Sequence, residues 1–275
     1  MRPPLTPALT DLLSYLGEIG YGDVYLRAAA ASQRAAQAES PHSAPELVAP
    51  AASFAPAAPT PPTPSTPPTP LIAARTAQAP VKTPNRAERA AELAALAAAA
   101  AVCTRCRLSE GRNRVVFAAG NPDADLMLIG EGPGAEEDRQ GLPFVGPAGE
   151  LLTRILQAME LTRDEVYIAN IVKCRPPGNR DPQPEEVSAC RPYLEKQIAL
   201  VQPRLIVALG KVAAQTLLGN QSSIGQMRGR WVQIQGVPAM VTYHPAALLR
   251  NSALKRPTWE DMQQVRDRLR TLSVD

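Results

Sequence analysis

The four cysteines of this chain fall into two pairs that could bind a metal. Cys103 and Cys106 form a C-x2-C pair, and 15 residues separate Cys174 from Cys190. Two pairs that use every cysteine are more informative than a lone C-x2-C motif. Four thiolates suit either one zinc ion or a cubane iron–sulfur cluster. Buried thiols without a metal are the third alternative, and the spacing alone does not choose among them.

Three polar side chains lie at the ends of short apolar segments that have the length of strands. They are Glu131, Asn170 and His244, with glycine or proline turns around them. In an open parallel sheet, ligands bind beyond the carboxyl ends of the strands. Chance could place one polar residue there, but three residues from separate strands predict a binding site on one rim of the sheet.

The loop that contains Glu131 is rich in glycine, which allows a ligand to approach the backbone closely. It reads Gly-Glu-Gly-Pro-Gly over residues 130–134, and an acidic run follows at 136–138. A nucleotide-phosphate loop is excluded, because Gly-Lys-Ser/Thr and G-x-G-x-x-G are absent and the acidic run would repel phosphate. Segment 141–146 then places Phe144 between two glycines. This ring suits stacking on a flat ligand or, equally, anchoring the core.

Strand-like and helix-like segments alternate after Cys103, and they must position these residues. The predicted strands cover 125–130, 166–172, 205–210 and 239–243, with an edge strand at 231–234. The predicted helices include 151–159, 184–201, 211–218 and 259–272, and an Ala-rich helix at 86–102 leads into Cys103. This alternation predicts a three-layer α/β/α fold with a central, mainly parallel four-stranded sheet.

The composition changes near residue 85. Of the 29 prolines, 16 fall in residues 1–85, and the Pro/Ala/Thr-rich segment 41–85 cannot bury enough apolar surface to fold. We therefore predict a disordered N-terminal extension before a folded domain at 86–275. Residues 1–40 contain leucines at helical spacing, so residues 5–26 could bind a protein partner or dock on the chain's own core.

The overall charge and hydropathy narrow the class of protein. The net charge of +3 excludes a histone-like polycation but not a local basic groove. No apolar run reaches the roughly 20 residues that a membrane span needs, and the N-terminus lacks a signal-peptide layout. We expect a monomer in the cytoplasm. Thiols stay reduced in that compartment, which favours a metal site or catalysis over disulfides.

These motifs together resemble the iron–sulfur uracil-DNA glycosylases, family 4 of the uracil-DNA glycosylase superfamily. The resemblance covers roughly residues 88–272 and rests on the four cysteines and on segments 130–138, 141–149, 170–180 and 244–250. It implies the fold of that superfamily and a DNA repair glycosylase, which hydrolyses the N-glycosidic bond of uracil and leaves an abasic site. It also implies a structural [4Fe-4S] cluster on Cys103, Cys106, Cys174 and Cys190, which decides against zinc.

The resemblance further implies a uracil pocket. Its members would be the backbone at Gly130, Glu131 and Gly132, the stacking ring of Phe144, the base-reading amide of Asn170, and His244 at the uracil O2. Another branch of the superfamily has an aspartate where this chain has Gly132. Glu131 is therefore our first candidate for activating water, followed by Glu137 and Asp138, although each could instead cap a helix or pair with Arg139.

Basic residues near these motifs are expected to contact uracil-containing DNA, single- or double-stranded. The candidates are Lys173, Arg175, Arg180, Arg228, Arg230 and Arg250. Leu248 or Leu249 could wedge into the space that the flipped base leaves, or pack in the core. The alternatives are a covalent-trapping member of the superfamily, a non-catalytic DNA-binding module and a zinc-stabilised scaffold. The loop after Cys174 contains no histidine, which argues against trapping.

Overall fold

The computed structural model describes residues 85–272. The N-terminal helix and the proline-rich linker that we predict lie outside the described residues. Within residues 85–272, no helix is long and apolar enough to cross a membrane.

A six-stranded mixed sheet forms the centre of the described domain. The strands are β1 (Ala119–Gly120), β2 (Leu126–Gly130), β3 (Tyr167–Asn170), β4 (Leu205–Leu209), β5 (Trp231–Ile234) and β6 (Val237–Thr242). Their order is β1-β3-β2-β4-β6-β5. The four inner strands are parallel, and β1 and β5 are antiparallel at the two edges. The predicted parallel core and the edge strand at 231–234 are confirmed, whereas the two-residue β1 was not predicted.

Helices cover both faces of the sheet. They are α1 (Arg86–Ala101), α2 (Leu108–Gly111), α3 (Ala135–Gln140), α4 (Pro147–Ala158), α5 (Pro184–Val201), α6 (Lys211–Leu218), α7 (Ile224–Met227), α8 (Pro245–Arg250) and α9 (Lys255–Leu272). Two short 3-10 turns lie at Pro177–Asn179 and Ser252–Leu254. Helix α1 begins with a capping box, in which the side chains of Asn85 and Glu88 each accept the other's backbone N–H.

The inner strands are mostly apolar because both of their faces are buried, and the polar residues Asn170 and Thr242 lie at the carboxyl ends of β3 and β6. Side chains alternate across each strand, so Leu128 and Val207 pack with α4 and α9 on one face. On the other face, Met127 and Ile206 pack with α1 and α5. The predicted three-layer α/β/α architecture is therefore confirmed.

The strand register brings the carboxyl ends of the inner strands to one rim. Gly130 at the end of β2 lies opposite Asn170 at the end of β3. Leu209 at the end of β4 lies opposite Thr242, two residues before His244. The sheet therefore delivers the loops after β2, β3 and β6 to the same edge.

Candidate functional site

A cleft of about 330 Å³ opens at this rim. The polar, aromatic and charged side chains that line it are Glu131, Glu137, Phe144, Asn170, Asn179, Arg180, Asp181, His244 and Arg250. The structure thus brings together the three rim residues that the sequence singles out, with Phe144 beside them.

Asn170 is buried in the wall of the cleft, with 2% of its surface exposed. Its Oδ1 has no hydrogen-bond partner within residues 85–272. A buried, unpaired acceptor is rare and needs an explanation. Gly130 makes room for this amide, because a Cβ at position 130 would lie 2.5 Å from Asn170 Oδ1 and 2.6 Å from Phe144 Cζ. The wall of the cleft therefore contains a buried, unpaired acceptor beside an aromatic ring.

Phe144 adopts a positive φ of 54°, which is uncommon for a residue with a side chain. Its ring stacks on the imidazole of His244, with the ring centroids 5.5 Å apart and an angle of 29° between the planes. Arg163 Nη2 donates to the carbonyl of Pro143 at 2.8 Å, which fixes the chain just before this residue. Phe144 is mostly buried, so it serves both as a core residue and as a wall of the cleft.

Glu137 holds two loops of the cleft together. Its Oε1 accepts the N–H groups of Val145 and Gly146 at 2.9 and 3.0 Å, and its Oε2 accepts the N–H of Gly134 at 3.1 Å. Both carboxylate oxygens are therefore engaged with the backbone. This supports the structural alternative for Glu137 over the catalytic role expected from the sequence.

Asp138 lies outside the cleft. Its buried carboxylate accepts the backbone N–H and the side-chain amide of Asn113, at 2.9 and 2.5 Å. Because it does not line the cleft, it cannot activate a water there. The expectation that Asp138 could replace Glu131 in that role is wrong.

Glu131 is the half-buried carboxylate that remains at the cleft. We find no hydrogen bond or ion pair of its side chain within residues 85–272. Burial, with a smaller contribution from the negative charge of Asp181, raises the pKa of Glu131 to about 7 against the opposing positive charge of Lys211. A carboxylate with a pKa near neutrality is suited to accept a proton at physiological pH.

His244 presents a single free donor. Its Nδ1 accepts the N–H of Ala246 at 3.1 Å, so the proton of the neutral ring lies on Nε2. Burial lowers the pKa of His244 to about 4, with a smaller contribution from the positive charge of Arg250. The imidazole is therefore neutral at physiological pH. Gly210 allows this packing, because a Cβ there would lie 2.8 Å from His244 Cβ.

The four cysteines line a separate, smaller cavity together with Arg112, Lys173 and Tyr193. The loop after α1 contributes Cys103 and Cys106, the loop after β3 contributes Cys174, and α5 contributes Cys190. The Cys174 Sγ accepts from Arg112 Nη1 and the Cys190 Sγ accepts from the backbone N–H of Lys173, both at 3.3 Å.

This donor set fits an iron–sulfur cluster. Hydrogen bonds to the sulfurs are among the contacts that stabilise thiolate-bound clusters. Four cysteine thiolates are the usual ligands of such a cluster and also of a structural zinc ion. Burial raises the pKa of Cys190 to about 11, so binding a metal would have to displace its proton.

The sequence model of the Uracil DNA glycosylase superfamily matches residues 117–263. The chain belongs to this superfamily. The match runs from just before β1 into α9, so it includes Glu131, Asn170 and His244.

Several relatives in the superfamily are similar to this chain. The type-4 uracil-DNA glycosylase of Thermotoga maritima is 45% identical over 168 residues, which is 60% of this chain and 88% of the relative. That of Sulfurisphaera tokodaii is 42% identical over 174 residues, which is 60% of this chain and 79% of the relative. The type-5 uracil-DNA glycosylase of Pyrobaculum aerophilum is 32% identical over 163 residues, which is 53% of this chain and 71% of the relative.

Two of the expected DNA contacts of this superfamily member are engaged inside the protein. Lys173 is only 2% exposed, so it cannot reach a phosphate. Arg228 donates to the buried carboxylate of Asp261 and to the carbonyl of Pro257. For Lys173, the expectation of DNA contact is wrong. For Arg228, which the sequence left undecided, these bonds favour a structural role.

The other arginines differ in their surroundings. Arg250 is exposed at the mouth of the cleft. Arg175 is half-buried, and its Nε donates to Asn179 Oδ1 at 2.8 Å. Arg180 lines the cleft but forms two hydrogen bonds, of 2.8 and 2.6 Å, to the buried carboxylate of Glu186. Arg230 is exposed and does not line the cleft.

The sequence argument missed two residues that shape the cleft and gave a third the wrong role. Asp181 faces the cleft directly, and its place beside Arg180 was the only signal. Arg163 donates to the carbonyl before Phe144 from 20 residues away, and no pattern in the sequence marks this contact. Lys173, which was expected to contact DNA, instead donates to the carbonyl of Asn170, three residues before it.

Proposed function

We propose that this superfamily member is a DNA repair glycosylase that flips uracil out of DNA and hydrolyses its N-glycosidic bond. The products are free uracil and an abasic site. The single observation that carries this proposal is the buried Asn170 amide, whose unpaired Oδ1 lies beside the ring of Phe144 in a cleft at the rim of the sheet. The type-4 relatives, which carry the name uracil-DNA glycosylase, support it.

Asn170 would select the base. Its Oδ1 can accept from the N3–H of uracil and its Nδ2 can donate to O4. Cytosine has an acceptor at N3 and a donor at C4, so both contacts would be mismatched. An unsatisfied buried polar group costs about 1–3 kcal/mol. The amide therefore favours uracil over cytosine.

Flipping would place the uracil ring beside Phe144. Extruding a base costs a few kcal/mol, and least at a mismatch such as G·U. Leu249 is 48% exposed on α8, whereas Leu248 is buried in the core. Of the two leucines considered as a wedge, we assign the role to Leu249, because only its side chain is free to enter the vacated space.

Bond cleavage would use His244 and Glu131. As the bond between C1′ and N1 breaks, its electron pair moves onto uracil and negative charge grows on O2. A preorganised donor at such an oxygen contributes roughly 3–4 kcal/mol, and the Nε2–H of neutral His244 would be that donor. Water adds to C1′ and transfers a proton to the Glu131 carboxylate, which also stabilises the positive charge on the sugar.

DNA binding would rest on Arg175, Arg180 and Arg250 around the cleft. Contacts of this kind are to phosphates, so they add affinity that depends on salt and not on sequence. Because Glu186 already neutralises Arg180, we expect the exposed Arg250 to contribute most.

Cys103, Cys106, Cys174 and Cys190 would hold a [4Fe-4S] cluster. When bound, such a cluster would supply cross-links among α1, the loop after β3 and α5, and no chemistry at the cleft. The Sγ hydrogen bonds from Arg112 and Lys173 support this assignment.

The experiment that tests the function is a uracil-release assay on anaerobically purified protein, with iron and sulfide analysis of the same sample. Substrates are uracil in a single strand, opposite guanine and opposite adenine. We expect about four irons per chain, release of uracil, and loss of release in Asn170→Ala but not in Asn220→Ala, which changes an amide outside the cleft. Wild-type protein that releases no uracil from any substrate would overturn the proposal, and a denaturant-resistant DNA adduct would then identify a trapping protein.

A further inference from the structure

Lys173 is a buried cation whose hydrogen-bond acceptors are both neutral. Its Nζ donates to the backbone carbonyl of Asn170 at 2.8 Å and to Gln197 Oε1 at 2.5 Å. Within residues 85–272, no carboxylate forms an ion pair with it. The Nζ also lies 5.8 Å from the centre of the Phe117 ring, and a deprotonated Cys190 would attract its charge. Burying an ammonium group is still costly, and an apolar side chain would fill the same space without that cost. The hydrogen bond to Asn170 gives the ammonium a role beyond packing.

The bond to Asn170 fixes the backbone at the residue whose side chain faces the cleft. The next two residues are held to the end of β2, because Ile171 and Val172 donate their N–H groups to the carbonyls of Gly130 and Glu131. Lys173 holds the carbonyl of Asn170 itself. Since the side-chain Oδ1 has no partner of its own, the direction of the amide depends on this backbone anchoring.

The same lysine is also tied to the cysteine cavity. Its backbone N–H donates to Cys190 Sγ at 3.3 Å, and the next residue is Cys174. Gln197, whose Oε1 also accepts from the Lys173 Nζ, is itself held by two bonds. Its Nε2 donates to the carbonyl of Phe117 at 3.1 Å and to the hydroxyl of Tyr167 at 3.0 Å. A short chain of hydrogen bonds thus connects the cysteine cavity and the core of the domain to Asn170.

We propose that Lys173 is a positioning residue for base recognition, which holds the backbone of Asn170 so that its amide meets the edge of uracil. This inference rests on the proposed function. It assigns Lys173 no contact with DNA or with the reacting atoms.

The test compares Lys173→Met with Tyr167→Phe. Methionine keeps the length and apolar volume of the lysine stem but removes the Nζ donor. Tyr167→Phe disturbs the other end of the same network and leaves the bond between Lys173 and Asn170 in place. For each variant we would measure the Kd for free uracil, kcat and KM for uracil release, iron content, Tm, and the Kd for a uracil-free oligonucleotide.

We expect Lys173→Met to weaken uracil binding about tenfold or more and to keep its iron and its affinity for uracil-free DNA. Tyr167→Phe should lower Tm and leave the Kd for uracil within about twofold. In an Asn170→Ala background, Lys173→Met should have no further effect on uracil binding, because the lysine acts through that amide.

Two results would overturn the inference. One is a Lys173→Met protein that binds uracil as the wild type does. The other is a loss of uracil affinity that is proportional to the decrease in Tm, by the same factor in both variants. That result would make the lysine merely structural. If Lys173→Met does not fold, Lys173→Gln replaces it, since a shorter polar side chain keeps a partner for Gln197 but does not reach the Asn170 carbonyl. Wild-type protein without uracil release would refute the proposed function instead, so the two failures are distinguishable.

Discussion

Uracil release should depend on pH through the ionisation of Glu131. Burial and the charge of Asp181 raise the pKa of this carboxyl to about 7, and only its ionised form can accept a proton from water. A group with that pKa is about one-eleventh ionised at pH 6 and about ten-elevenths ionised at pH 8, so kcat/KM should rise about tenfold between them. His244 does not titrate in this range, because burial lowers its pKa to about 4.

The assay measures kcat/KM for uracil release from a single-stranded oligonucleotide between pH 5.5 and 8.5. Glu131→Gln should reduce the rate by about 10²–10⁴-fold and abolish the rise with pH. Asp181→Asn should move the midpoint to lower pH, because it removes a negative charge near Glu131. Lys211→Met should move it to higher pH for the opposite reason. Glu195→Gln, which changes an exposed carboxylate on α5 outside the cleft, is the matched control.

Either of two results would refute this reasoning. A wild-type midpoint near the ordinary glutamate pKa, unmoved by Asp181→Asn, would show that the cleft does not raise the pKa of Glu131. A Glu131→Gln protein that keeps the rate and the pH profile of the wild type would show that another group activates water.

Four further substitutions separate the roles of the cleft. Gly130→Ala should reduce uracil release at least about 100-fold and lower the free energy of unfolding by about 1–3 kcal/mol, because the added Cβ would overlap Asn170 Oδ1 and Phe144 Cζ. Uracil-release assays and thermal unfolding test these two effects. Leu249→Ala should slow release from duplex more than from single-stranded DNA with an unchanged Tm, whereas Leu248→Ala should cost about 2–5 kcal/mol of stability. Arg250→Ala should reduce the slope of log Kd against log salt by about one, measured by DNA titration.

The sequence predicts the parallel core of the sheet well because those strands are buried on both faces. Segments 125–130 and 205–210 are continuous apolar runs bounded by turns, and this pattern does not depend on the rest of the fold. The two-residue β1 has no such signal, since pairing with β3 alone defines it. The rim residues could be predicted for a related reason: the end of a buried strand is visible in the sequence, and parallel topology places such ends together.

The partners of charged residues could not be predicted in this way. Arg228 and Lys173 are of the residue types that bind DNA. However, Arg228 pairs with Asp261, 33 residues away, and Lys173 donates to Gln197, 24 residues away. Glu137 belongs to an acidic run that suggests catalysis, and only the fold shows that three backbone N–H groups occupy its oxygens. The sequence therefore gives the chemical type of a charged side chain, while its role depends on which groups of the folded protein lie next to it.

The three N–H groups on the Glu137 carboxylate have a consequence for how the base enters. One side chain joins the loop after β2 to the loop that carries Phe144, so neither loop can swing away without breaking bonds of the other. These two walls of the cleft are then ordered when the protein folds, so uracil binding costs less loop-ordering entropy. This part of the site is preformed, and the base must leave the DNA stack to reach it.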